Sequence, residues 1–138
     1  MDLYNELYHT LGENTLGKRL KKARLKLRLS QEQLAKNCGL STGAITGYEY
    51  DLINPSKDAL IKLGRVIDLD YLCCDEYSKF ILSNYISILK KWRKDNGLSM
   101  RKAAKILEIP PSTYISWEKG VYGISKNSYH KLKEKINI

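Results

Sequence analysis

The chain has 138 residues, enough for one ordinary domain or two very small ones, which excludes a large multi-domain enzyme. Lys and Arg total 24 against 15 Asp and Glu, a formal +9 that argues for a polyanionic partner, with nucleic acid ahead of a membrane surface. Apolar residues make up 43% and charged residues 28%, close to globular averages, so the chain is expected to fold on its own.

In residues 1–14, Leu3, Leu7 and Leu11 with Tyr4 and Tyr8 form an amphipathic turn or two that ends at Gly12. Its expected role is packing onto its own domain, with homodimer formation as the alternative. Thr15 then caps a helix in which Leu16, Leu20, Ala23 and Leu27 recur at helical spacing, leaving Lys18, Arg19, Lys21, Lys22 and Lys26 on the remaining faces. Ser30 caps a second helix, with Gln33 completing a capping box and Leu34 and Ala35 turned inward. Gly39 suits a left-handed helix end, and Ser41 caps a third helix with Ala44, Ile45 and Tyr48 on its inner face. After the turn at 51–55, Ser56 caps a last long helix striped by Leu60, Leu63, Val66 and Ile67. Residues 15–72 thus read as a compact all-α unit of four or five short helices.

Residues 73–84 are expected to be a helical connector. The stretch from Tyr71 to Tyr85 lacks Pro and Gly, and Tyr77, Ile81, Tyr85, Leu89 and Trp92 run at helical spacing into the next helix. Beyond it the chain repeats. A shift of 69 residues aligns 20–69 with 89–138 without a gap, and 14 of those 50 positions are identical. Leu20/Leu89, Arg24/Arg93, Leu29/Leu98, Ser30/Ser99, Ala35/Ala104, Glu49/Glu118 and Leu63/Leu132 carry the case, because they fall at equivalent points of the helical pattern. Charge divides along the same lines: residues 17–69 carry +6 and residues 86–138 carry +8, while 1–16 and 70–85 carry −3 and −2. Positive charge therefore belongs to the repeated units, 15–72 and 85–138, rather than being spread for solubility.

The second and third helices, joined around a Gly, have a helix-turn-helix layout. Leu29-Ser30-Gln31-Glu32-Gln33-Leu34-Ala35, Gly39-Leu40-Ser41, Ile45 and Glu49, with Leu16-Gly17 and Arg24 upstream, resemble the Xre/Cro, lambda-repressor-like family. Leu98-Ser99, Ala103-Ala104, Ile109 and Ser112-Thr113-Tyr114-Ile115-Ser116-Trp117-Glu118-Lys119-Gly120 resemble the same family. The resemblance implies an all-α fold of two tandem helix-turn-helix domains joined by a helical connector, binding double-stranded DNA with the third helix of one or both units in the major groove. It places the reading positions at Thr42, Gly43, Ala44, Thr46 and Gly47 in unit one, and at Pro111, Ser112, Thr113 and Ser116 in unit two. It implies a phosphate at Gln31, which Met100 replaces in unit two, and further phosphate contacts at Lys119 and Tyr122. Unit one has Tyr50, Asp51 and Asn54 in that loop and no base. Lys36 and Lys105 are as well suited to solvent as to phosphate. Arg24 with Glu49, and Arg93 with Glu118, match a pair that ties the first helix to the end of the third, a structural role.

The reading positions hold none of the Arg, Asn or Gln that make bidentate base contacts, so thymine methyls, close backbone approach and DNA shape would carry specificity. Gly43 and Gly47 each cost about 1 kcal/mol relative to Ala in a helix, which points to close contact on that face or to simple tolerance. Fifteen helical residues in the connector would extend about 22 Å, which with the domain widths could place two reading helices on adjacent groove faces.

No Ser/His/Asp set, metal spacing or phosphate loop occurs, and His9 and His130 lie at opposite ends of the chain, so an enzyme, a metal and a cofactor are not expected. No segment approaches the ~20 apolar residues that span a bilayer, and no basic region precedes an apolar core at the start, so the expected location is cytoplasmic, at the nucleoid. Cys38, Cys73 and Cys74 cannot pair completely and are expected to be reduced thiols, mostly buried. Two functions fit these features: a DNA-binding transcriptional regulator, a repressor by preference, or a protein-interaction module, such as an anti-repressor or assembly partner, that retains the fold.

Overall fold

The computed structural model describes residues 8–136, and every regular element among them is helical. The chain divides into two compact units between Ser78 and Lys79, and each is described by itself. The all-α architecture is the one predicted.

In unit one α1 (Leu16–Lys26) precedes the helix-turn-helix of α2 (Gln31–Cys38) and α3 (Thr42–Glu49), which is followed by α4 (Lys57–Leu63) and the single turn α5 (Leu69–Leu72). Each of the first four starts on a hydroxyl that satisfies an otherwise orphaned backbone N–H: Thr15 accepts from Lys18, Ser30 from Gln33, Ser41 from Ala44 and Ser56 from Ala59. Ser30 and Gln33 form the reciprocal capping box, and Gly39 ends α2 in the left-handed conformation. Leu20, Leu34, Cys38, Ile45, Leu63 and Leu72 are fully buried between these helices. At the N-terminus residues 8–10 are helical, and Lys22 Nζ lies 4.8 Å from the centroid of the Tyr8 ring. Leu3, Tyr4 and Leu7 of the predicted amphipathic segment lie outside the described residues.

Three local expectations change. Leu27 is 48% exposed, because α1 ends at Lys26 and Leu27 becomes its C-cap; Leu25 turns inward instead. The long fourth helix stops at Leu63, and a turn leads to α5, which Asp68 caps. Arg19, assigned to a solvent face, is only 3% exposed. Its guanidinium donates to the Leu72 and Glu13 carbonyls, both at 3.0 Å, and pairs with Asp75. Every side of the buried cation is thus supplied with an acceptor, which burial of a charge requires.

α6 (Glu76–Leu82) begins in unit one, where the Asp75 carboxylate accepts from the Ser78 N–H at 2.9 Å, and ends in unit two, where Phe80 and Ile81 are buried. It does not run on into α7 (Tyr85–Asp95). Ser83 turns its N–H back to Lys79 and Phe80 and its hydroxyl to the Phe80 carbonyl, and Asn84 leaves the helical region at ψ 64°. α8 (Met100–Ile106), α9 (Pro111–Glu118) and α10 (Lys126–Ile136) complete unit two. Its core is more aromatic: the Phe80 ring lies 5.5 Å from Tyr85 and 5.0 Å from Tyr129, within the range where ring pairs attract. Ala103 stands where unit one has Leu34, and Tyr114 where unit one has Ile45; all four are fully buried, so volume lost at one position accompanies volume gained at the other.

The repeat extends to the backbone. Positive φ among the described residues occurs at Arg28, Gly39, Asp51, Gly97, Glu108 and Gly120. Shifted by 69, these form three equivalent pairs, Arg28/Gly97, Gly39/Glu108 and Asp51/Gly120, each with glycine on one side only. The two units therefore share their turns even where they do not share the residue that makes a left-handed turn easy.

Candidate nucleic-acid interface

In unit one α3 buries Ile45, Tyr48 and Glu49 and leaves Thr42 and Gly43 exposed, with Ala44, Thr46 and Gly47 half-buried. The capped N-terminus of α3 thus points its first turn outward while the apolar face seats the helix. Arg24 holds the other end: its Nε and Nη2 donate to the two Glu49 carboxylate oxygens at 2.6 and 2.9 Å, and its Nη1 donates to the Leu29 carbonyl at 2.8 Å. A bidentate guanidinium and carboxylate, both under a tenth exposed, fix α1, the α1–α2 turn and the end of α3 together.

Gln31, the first residue of α2, is half-buried beside this pair. Its amide nitrogen donates to Glu49 at 3.2 Å, and its oxygen accepts from the Thr46 hydroxyl at 2.8 Å. The two glycines of α3 prove unlike. A Cβ on Gly47 would come within 2.9 Å of Ile53, whose side chain lies across it, whereas a Cβ on Gly43 would meet nothing within 4 Å. Packing explains Gly47; among the described residues no neighbour explains Gly43.

Unit two repeats the frame. Arg93 donates to the Glu118 oxygens at 2.8 and 3.0 Å and to the Leu98 carbonyl at 3.1 Å. Burial opposes the Glu118 charge, but the Arg93 hydrogen bonds and charge outweigh it and hold the carboxyl below its ordinary range. Burial, with the neighbouring Glu118 charge, pushes the Tyr114 phenol far up. On α9, Pro111 and Ser112 are exposed and Thr113 and Ser116 half-buried, the Ser116 hydroxyl donating to the Thr113 carbonyl at 2.7 Å. Pro110 supplies no side-chain cap. Lys119 ends the helix in the open, and Tyr122 is 71% exposed. Ser116 stands where unit one has Gly47 and Tyr122 where it has Ile53, and beside them lies a cleft of about 360 Å³ lined by Ser112, Thr113, Ser116, Trp117, Tyr122 and Ser125.

The structure thus gathers Gln31 with Thr42, Gly43, Ala44, Thr46 and Gly47 around one helix, and Pro111, Ser112, Thr113, Ser116, Lys119 and Tyr122 around the other. Two residues important to this geometry escape a reading by family pattern. Asp51, noted only as a missing base, accepts from the Gly17 N–H at 2.9 Å and from the Thr15 hydroxyl at 2.7 Å, binding the loop after α3 to the start of α1. Arg19 ties α1 to the chain around Asp75. The repeat held a signal for it, since its equivalent is Ile88, a half-buried residue.

The helix-turn-helix family matches residues 20–72 and again residues 89–137. Over 68 residues the chain is 38% identical to the HTH-type transcriptional regulator ImmR of Bacillus subtilis (strain 168), a match covering 47% of this chain and 54% of that protein. The chain thus spans about half the length of that relative. No solved structure matches. With two matched segments covering most of its length and the same Arg–Glu frame in each, the chain belongs to the Xre-like helix-turn-helix family, in two tandem copies.

Proposed function

We propose that this chain is a sequence-specific, double-stranded DNA-binding transcriptional regulator, a repressor that acts by occupying an operator. The observation that carries the reading is the repeated frame: in both units a bidentate Arg–Glu pair anchors the end of the third helix while its first turn stays exposed. Gly43 adds support, because among the described residues nothing lies within 4 Å of where its side chain would be, which leaves room for close approach by a base edge. Thr42, Ala44 and Gly47 lie with it, and Pro111, Ser112, Thr113 and Ser116 form the corresponding face of unit two. Gln31, Lys119 and Tyr122 are assigned to phosphates, which fix register without specifying sequence. Residues 15–72 and 85–138 are the two binding domains and 73–84 their connector, and the protein works in the cytoplasm on nucleoid DNA. Among the described residues no helix is long and apolar enough to cross a membrane.

The test is selection of duplexes from a random library by the full chain, followed by footprinting. Enrichment of one sequence with a footprint of two half-sites per monomer is the expected result. Retention no better than that of a scrambled duplex would overturn the reading.

One observation favours a second use for unit one. Tyr50 and Leu52 are 68% and 77% exposed in the loop where phosphate-binding bases are otherwise expected. On that reading unit one contacts a regulatory protein or a second copy while unit two holds DNA. Glu substitutions at Ser112 and Ser116 that abolish DNA retention, against no effect at Thr42, would favour it.

A further inference from the structure

We infer that Thr46 reads no base but fixes the Gln31 amide as a hydrogen-bond donor, so that unit one grips a phosphate oxygen through a group oriented by its own reading helix. The inference rests on the DNA-binding reading and deepens it. A glutamine amide can present either an oxygen or a nitrogen to a ligand, and in solution it presents both. Here the choice is made by the neighbours. Glu49 can only accept, and both its oxygens are held in place by Arg24, so the Gln31 nitrogen must face it, at 3.2 Å. The Gln31 oxygen then faces Thr46, whose hydroxyl donates to it at 2.8 Å. The flipped amide would set two acceptors against each other at Glu49.

The second N–H of the amide is left for a ligand. A phosphate oxygen accepts from it; the bidentate pattern that reads adenine needs the amide oxygen as well, and that oxygen is turned to Thr46. The Thr46 hydroxyl has one proton, and its two acceptors, Gln31 and the Thr42 carbonyl at 3.1 Å, lie within the protein. It has none left to donate to a base.

Unit two shows that the ladder is not needed to hold the frame. There Met100 replaces Gln31 and Ile115 replaces Thr46, yet Arg93 and Glu118 keep the same bidentate geometry. The pair Gln31 and Thr46 is therefore an addition to the fold, and Ile115 shows that a hydroxyl-free β-branched residue fits at this point of the helix.

A double-mutant cycle on the full chain and its selected duplex tests this, with Thr46→Val, Gln31→Met and both together, and Thr46→Ser as the variant that keeps the hydroxyl. Loss of one such hydrogen bond corresponds to a weakening of about fivefold. Thr46→Val should weaken binding by that factor without changing base preference at any position. It should have no effect once Gln31 is Met, and Thr46→Ser should bind as the parent does. Additive losses in the cycle, or a base preference altered by Thr46→Val, would overturn the inference while leaving DNA binding intact. Failure of the parent chain to retain any duplex would overturn both.

Discussion

Gly17 donates its backbone N–H to the Asp51 carboxylate at 2.9 Å, and the same two positions of unit two, Ile86 and Gly120, reverse the arrangement. In each unit one of the two positions is a glycine and the other carries a side chain. A Cβ on Gly17 would lie 2.3 Å from the Tyr48 carbonyl oxygen and 2.6 Å from Asp51, and a Cβ on Gly120 would lie 3.3 Å from Ile86. Gly17→Ala must therefore push α1 away from the end of α3, and overpacking of this kind costs about 1–3 kcal/mol. Denaturant unfolding of the full chain should show that loss, and removing the Asp51 side chain as well should not restore it, because the nearest obstacle is backbone. Unchanged stability of Gly17→Ala would contradict this.

The three left-handed pairs predict a stabilising change. Glu108 takes φ 57° at the end of α8, where its equivalent in unit one is Gly39. Such a conformation costs an L-residue about 1–2 kcal/mol, partly returned on glycine substitution by the freer unfolded chain. Glu108→Gly should thus gain about 0.5–1 kcal/mol. Asp51→Gly should go the other way, since its carboxylate binds both Gly17 and Thr15. Opposite shifts in unfolding midpoint test the pair; shifts of the same sign would show that backbone strain does not decide either.

Local order was legible in the sequence wherever one residue decides it. Thr15, Ser30, Ser41 and Ser56 cap helices because a hydroxyl beside the first turn is sufficient. The Arg–Glu pairing was legible because both members recur at the same spacing. Arg19 was not, since its burial depends on the Leu72 carbonyl and Asp75, more than fifty residues away. Nor was the role of Asp51, whose acidity reads as a missing phosphate contact until the bare Gly17 backbone is seen beside it. The orientation of Gln31 likewise depends on Thr46 and Glu49, which pattern alone does not bring together.

Unit two carries an acid-sensitive fastening. The folded Glu118 carboxyl titrates below its ordinary value of 4.5, so its contribution is present above that value and is lost as pH falls through the folded one. Both tryptophans, Trp92 and Trp117, lie in this unit, so fluorescence excited selectively at tryptophan reports its unfolding. Glu118→Gln leaves the half-buried Arg93 cation without its charged partner and should cost about 1.5–3 kcal/mol at neutral pH. Below pH 4.5 the difference from the parent should narrow. A constant difference from about pH 7 to about pH 3 would remove Glu118 from the explanation.

Lys119 and Tyr50 are equivalent residues at the C-terminal ends of α9 and α3, and only the first is charged. If Lys119 meets a phosphate, its contribution is release of about one counterion, independent of the bases nearby. Lys119→Ala should then weaken every duplex alike and reduce the salt slope of log K by about 1. Tyr50→Lys supplies the same group to unit one, where the loop carries no base, and should steepen the slope by a similar amount if that unit lies on DNA. Titrations of the selected duplex at several salt concentrations measure both. A slope unmoved by Tyr50→Lys, with Lys119→Ala effective, would place unit two alone on the phosphate backbone and leave the exposed Tyr50 and Leu52 for a protein partner.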